Sequence, residues 1–177
     1  MAAPTAKPPA SASTAPPPGI DLKKILVPLD FSESAETAFS FAVDLGAKFN
    51  AELILLHVVE LAQFSHYVAS YPDFAPQPLD LAEMEARTRK DAEARLKPFS
   101  ERLLARGVRV HARVRTGFAS PEIIQAAKDE NVDCIVIATH GYSGLTHFLM
   151  GSTTERVIRH APCPVMVVRL KEAPVKK

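Results

Sequence analysis

Apolar positions along this chain gather in short blocks, and the spaces between the blocks carry helical periodicity. KKILVPLD (Lys23–Asp30), ELILLHVVE (Glu52–Glu60), DCIVIATH (Asp133–His140) and CPVMVVR (Cys163–Arg169) are apolar along most of their length. Short runs rich in β-branched residues predict strands buried on both faces. RVHARVRTG (Arg109–Gly117) alternates instead, with Val110, Ala112 and Val114 on one face and basic residues on the other, which suits an edge strand.

Between these runs, Ala35, Ala38, Phe39, Ala42, Leu45 and Phe49 fall at helical spacing, with Ser32, or Asp30 paired with Glu33, as the start signal. A longer helix is expected over Asp80–Arg106, bent at Pro98 and closed by Gly107. A third opens with Ser120 as N-cap and Pro121 at the first helical position. A fourth opens at Ser152, with Glu155 completing a capping box, and ends at Arg159 and His160 before Pro162.

Five strands alternating with four helices predict an α/β fold, an open five-stranded parallel sheet with helices on both faces, Rossmann-like in plan. Ligands of such sheets bind beyond the carboxyl ends of the strands, where strand order reverses. The first strand and the one ending at Ala138 should flank that point, so Asp30 and the loop after Ala138 face one crevice.

Residues 21–170 read as a single domain. Residues 1–20, rich in Pro, Ala and Ser, and residues 171–177 read as solvated tails. Leu61–Leu79 breaks the pattern with Phe64, Tyr67, Tyr71 and Phe74 among three prolines. It reads as a long connection, either a surface loop anchored by aromatics or a flap over a ligand.

Charge adds an exclusion. The chain of 177 residues carries 21 Lys and Arg against 20 Asp and Glu, a balance that argues against nucleic acid or an anionic membrane as the main partner. No apolar run approaches a membrane span. The start has no apolar signal core, so a cytoplasmic location is expected. The two cysteines, Cys134 and Cys163, form no CxxC pair and read as small buried residues.

The chemistry gathers in THGYSGLTHFLMGSTTER (Thr139–Arg156). It matches neither GxGxxG, nor GxxxxGK[ST], nor GxSxG. What remains is Gly141, nine residues, Gly151 and Ser152. Glycines there would admit anionic oxygens to backbone N–H groups, and the helix start adds further N–H groups and a positive dipole end. A turn at Gly151 with Ser152 as a simple cap explains the same spacing.

The stretches ILVPLDFSESAETA, LILLHVVE and IVIATHGYSGLTHFLMGSTTERVIRHAPCPVMVV resemble the universal stress protein family over nearly all of Lys23–Arg169. Its ATP-binding branch carries G-x2-G-x9-G-[ST]. Gly141, Gly151 and Ser152 fill the last three places, and Ala138 stands where the first glycine belongs. Its methyl points toward or away from the crevice according to strand phase.

The resemblance implies that ATP, with Mg²⁺ as companion, is held as follows. Asp30 lies near the ribose or phosphates, and Pro28 and Leu29 line the adenine side. Val58 offers backbone groups to the adenine edge, and Ile137 forms an apolar wall. Gly141, Gly151, Ser152 and Thr153 hold the phosphates, and His140, at the loop mouth, either contacts them or bonds within the turn. His57 reads as a hydrogen-bonded strand histidine. The resemblance also implies a homodimer through the last strand, Pro164–Val168, whose apolar edge invites a second copy.

No nucleophile, base and orienting group stand together in the sequence, and Arg156 is the basic residue nearest the loop. The expected function is therefore ATP-dependent regulation of a stress response through an unidentified protein partner. A nucleotide-free dimeric or chaperone-like module and a slow ATPase are the alternatives.

Overall fold

A computed structural model of the chain describes residues 20–60, 81–139 and 150–169. The readings of both tails, of the aromatic 61–79 connection, and of His140 and Gly141 fall outside these residues. The elements run β1 (Lys24–Pro28), α1 (Glu33–Phe49), β2 (Glu52–Val59), α2 (Leu81–Ala105), β3 (Val110–Thr116), α3 (Ala119–Asp129), β4 (Cys134–Ala138), α4 (Ser152–His160) and β5 (Val165–Val168). The strands form one sheet in the order β3-β2-β1-β4-β5, and every pairing is parallel. The expected fold class is observed. The order reverses between β1 and β4, the two strands expected to flank the crevice.

Because successive strand residues point to opposite faces, each buried strand feeds two cores. Ile25, Val27, Leu53, Leu55 and Val136 pack with Phe39 of α1 and Leu96 and Leu103 of α2. Leu26, Ile54, Leu56, Ile135 and Ile137 pack with Ile123 of α3 and Val157 of α4. Phe39 is fully buried and meets Phe99 edge to face at 5.0 Å between centroids. Burying a side chain of that size is worth about 1.5–3 kcal/mol.

The edges differ. β3 lies at one margin, as its alternating pattern predicts, and its arginines are held by α3 and the residue after it. Arg113 pairs with Glu130 at 3.0 Å, and Arg115 with Asp129 at 2.6 Å and Glu122 at 3.6 Å. β5 forms the other margin with four half-exposed apolar residues.

Helix ends show where local signals held and where tertiary partners replaced them. Ser32 caps α1 by accepting from the N–H of Ala35 at 3.1 Å. The α2 helix runs through Pro98 and closes at Gly107, whose φ of 72° suits glycine. There the N–H of Val108 reaches Leu103 and that of Gly107 reaches Leu104, both at 3.0 Å, as in a Schellman closure.

Two expected caps are corrected. Helix α3 begins at Ala119, ahead of Ser120, with Phe118 in the cap position and no side-chain cap. The Ala119 N–H instead donates to the carboxylate of Glu60 at 2.8 Å, a partner supplied by the end of β2. At α4, Ser152 is the first helical residue rather than the cap, and Gly151 takes the cap position without a side-chain bond. Glu155 turns outward to Arg159 at 2.8 Å instead of completing a box.

At the opposite, amino end of the sheet, Asp133 accepts from the N–H groups of Lys23 and Lys24, each at 2.8 Å, fixing the start of β4 against β1. Cys134 is buried and Cys163 half-buried, and both are free thiols. Burial pushes the Cys163 thiol up to about 11, so it stays protonated at neutral pH. Among the described residues no helix is long and apolar enough to cross a membrane.

Candidate functional site

A cavity of about 680 Å³ opens over the carboxyl ends of the central strands. This lies within the usual range for small-molecule sites and at the position where open parallel sheets bind ligands. Nine of the expected residues line it. They are Pro28, Leu29 and Asp30 at the end of β1, Val58 on β2, Ile137 and Ala138 on β4, and Gly151, Ser152 and Thr153 at the start of α4. His140 and Gly141 lie outside the described residues.

The strand phase of Ala138 is now defined. It packs in the α1-side core with Leu29, Ala35 and Val136, while Ile137 faces the α3 and α4 side. The residue is 94% removed from solvent and is among those that line the cavity.

Gly151 plays a different part from the one its spacing suggests. Its N–H donates to the carbonyl of Thr139 at 2.9 Å, so that donor is committed to the protein. Its φ of −60° is open to any residue. Glycine's contribution here is the missing side chain at the lining, not an unusual backbone angle. One turn on, the hydroxyl of Thr154 donates to the Ala138 carbonyl at 2.8 Å and anchors the helix to the strand end. Helix geometry leaves the N–H groups of Ser152, Thr153 and Thr154 without intrahelical acceptors, at the positive end of the helix dipole.

Asp30 is oriented from its own turn. Its Oδ1 accepts from the N–H of Ser32 at 3.0 Å and from the Ser32 hydroxyl at 2.6 Å, the same serine that caps α1. Between them stands Phe31, with φ at 65°. The imidazole of His57 bonds through Nδ1 to the carbonyl of Leu29 at 2.7 Å, in keeping with a strand histidine satisfied by backbone. A carbonyl only accepts, so Nδ1 carries the hydrogen and the neutral ring keeps Nε2 as its acceptor. Burial holds the His57 pKa below its usual value, and the Leu29 bond opposes that in part.

Sequence reasoning missed several lining groups, among them Ala35, Leu56, Glu60, Ala119 and Ile123. Ala119 and Ile123 come from the start of α3, delivered to the cavity by the turn at Gly117. That residue has φ 152°, and an added Cβ there would meet the Glu122 side chain at 2.9 Å. The signal that could have found them is topological. A helix entering beside the carboxyl end of β2 must present its first turn to the same crevice. Among the described residues no cluster of His, Cys, Asp or Glu could hold a metal ion.

The profile of the universal stress protein family matches residues 21–169. A putative universal stress protein of Staphylococcus haemolyticus is 33% identical over 155 residues, spanning 86% of this chain and 87% of its own. A universal stress protein of Methanocaldococcus jannaschii is 32% identical over 83% of this chain and 82% of its own. Among solved structures, the hypothetical protein MJ0577 superposes with a TM-score of 0.73 at 31% identity, covering 87% of this chain and all of that one. UspA from Lactobacillus plantarum gives 0.71 at 27%, covering 85% and 99%. More distantly, a universal stress protein in complex with cAMP (20% identity, TM-score 0.59, covering 85% and 98%) and one from Arabidopsis thaliana with AMP bound (22%, 0.58, covering 84% and 92%) share the fold. The family profile spans nearly the whole described domain and the relatives match along most of their own length, so the chain belongs to the universal stress protein family.

Proposed function

We propose that the cavity binds ATP and that occupancy regulates a partner-facing surface. One observation carries this reading. The cavity over the reversal of strand order is bounded on one side by the first turn of α4, with its unpaired N–H groups and the hydroxyls of Ser152 and Thr153. The apolar walls from Pro28, Leu29, Val58 and Ile137 suit a flat base. The same fold holding cAMP in one relative and AMP in another supports the ligand class at the level of fold.

Among the described residues the ionisable groups of the lining are Asp30, Glu60 and His57, with no lysine or arginine for a triphosphate. Mg²⁺ bound with the nucleotide would supply the missing positive charge. This chain's own part is to orient the base, exclude water with its apolar walls and donate N–H groups to phosphate. A regulator suits such a lining better than a rapid hydrolase, because among the described residues it holds no arginine or lysine for a transferred phosphoryl group. We further propose that two copies pair along β5, whose apolar residues are half-exposed at the sheet margin.

Mass spectrometry of nucleotide released from gently purified protein tests the ligand directly. Mg-ATP at about a hundredfold over Kd should stabilise the fold by roughly 2.7 kcal/mol, or about 5–10 °C in Tm for a domain of this size. Gly151→Val suits the observed backbone angles and should abolish that shift by filling the lining. A melting curve indifferent to Mg-ATP would favour a nucleotide-free module. Phosphate release above the Gly151→Val control would favour a slow ATPase.

A further inference from the structure

Phe31 occupies a backbone conformation that glycine reaches freely and a large side chain rarely adopts, at φ 65°. Its ring is held on two sides. The His57 imidazole lies 4.5 Å away, centroid to centroid, and the Arg95 guanidinium of α2 stands over the ring at 3.9 Å. Phe99, also on α2, approaches at 6.0 Å. Phe31 thus joins the helix α2 to two lining residues at once, Asp30 as its chain neighbour and His57 through the stack.

We propose that Phe31 is a positioning residue of the cavity, clamped by Arg95 so that the Asp30 turn and the His57 ring are pre-set for the nucleotide. This rests on the nucleotide reading given above. The ring contacts explain why the turn keeps its left-handed residue without a glycine. They also make α2 sensitive to occupancy, since whatever moves Asp30 or His57 must move the ring that Arg95 covers. Among the described residues, the charged groups acting on His57 are Asp30 from the β1–α1 turn and Arg95 from α2, and the Leu29 carbonyl bonds its Nδ1.

The test uses the full chain as wild type, Phe31→Gly, Phe31→Tyr and Arg95→Ala. Phe31→Gly removes the ring while relieving the backbone, so the turn is not asked to refold. Affinity for Mg-ATP by calorimetry should fall roughly tenfold in Phe31→Gly and several-fold in Arg95→Ala, a size set by one aromatic pair and one cation–π contact. It should be kept in Phe31→Tyr. NMR titration of the His57 ring without nucleotide should show its midpoint rising toward the ordinary histidine value in Phe31→Gly and in Arg95→Ala. Loss of the Arg95 charge raises the midpoint in Arg95→Ala by itself, so the positioning role is read from the affinity lost in Phe31→Gly and kept in Phe31→Tyr.

Wild-type binding with unchanged affinity in Phe31→Gly overturns the inference and leaves the nucleotide reading standing. So does a His57 midpoint identical in all four proteins. A wild type that binds no Mg-ATP overturns the nucleotide reading and, with it, the positioning role.

Discussion

The hydroxyl of Thr154 donates to the main-chain carbonyl of Ala138 across 2.8 Å, and the threonine is 96% buried. This bond fixes the first turn of α4 to the end of β4 and so holds one wall of the cavity against its floor. Thr154→Val keeps the shape and leaves a buried carbonyl unpaired, which costs about 1–3 kcal/mol. Thermal unfolding should show Tm lowered by several degrees in Thr154→Val and nearly unchanged in Thr154→Ser. Equal loss in both would mean that packing, not the bond, is what matters there.

The carboxylate of Asp133 grips two successive N–H groups at the start of β1. Asp133→Ala should lower stability by about 1–3 kcal/mol, at the modest end for charge-assisted bonds because the site is partly exposed. Asp133→Asn, which keeps one acceptor oxygen, should lose less. Urea midpoints read this, with the slope m expected to stay constant because the exposed area on unfolding is the same.

His57 makes stability depend on pH. Its folded pKa lies below 6.5 through burial, so the unfolded chain binds the proton more readily. The contribution is complete above the ordinary histidine pKa and is lost as pH falls through the lower folded value. Urea midpoints measured from about pH 8 down to about pH 5 should therefore decline for the wild type. In His57→Gln that decline should be shallower. Parallel curves would place the sensitivity elsewhere.

The half-exposed residues of β5 carry the proposed pairing of two copies. Sedimentation at micromolar concentration should show a dimer for the wild type. A charge placed on that margin, as in Val167→Lys, should shift it to monomer while the melting curve stays cooperative. A wild type that sediments as a monomer excludes this interface.

Most of the architecture was legible because long-range order here follows from local pattern. Strands such as Cys134–Ala138, apolar on both faces, allow few placements in a sheet, and the alternating Val110–Thr116 allows an edge. Once β1 and β4 flank the reversal, Asp30 and Gly151 must share a crevice. The illegible part consists of contacts between segments far apart in sequence. Ser120 and Ser152 both look like caps in isolation. Glu60 took over one helix start from the end of a neighbouring strand. At the other, Gly151 holds the cap position with its N–H committed to Thr139, and Ser152 is carried into the first turn. The tilt of Ala138 into the α1-side core depends on a phase that a strand boundary uncertain by one residue leaves open. Phe31 gave no sign of its conformation, since nothing in its own side chain favours φ 65°.

The sheet's two margins have unlike fates. Along Val110–Thr116, three carboxylates from the neighbouring helix and the residue beyond it tether the guanidinium groups of Arg113 and Arg115, so an incoming strand would meet a fence of ion pairs. Along Val165–Val168 it would meet, among the described residues, partly exposed apolar side chains with no such ion pairs. Among the described residues, growth by sheet extension therefore has one open door per molecule. In the proposed pairing, two molecules meeting door to door would leave none, and the assembly would stop at a closed pair instead of running on into a fibre.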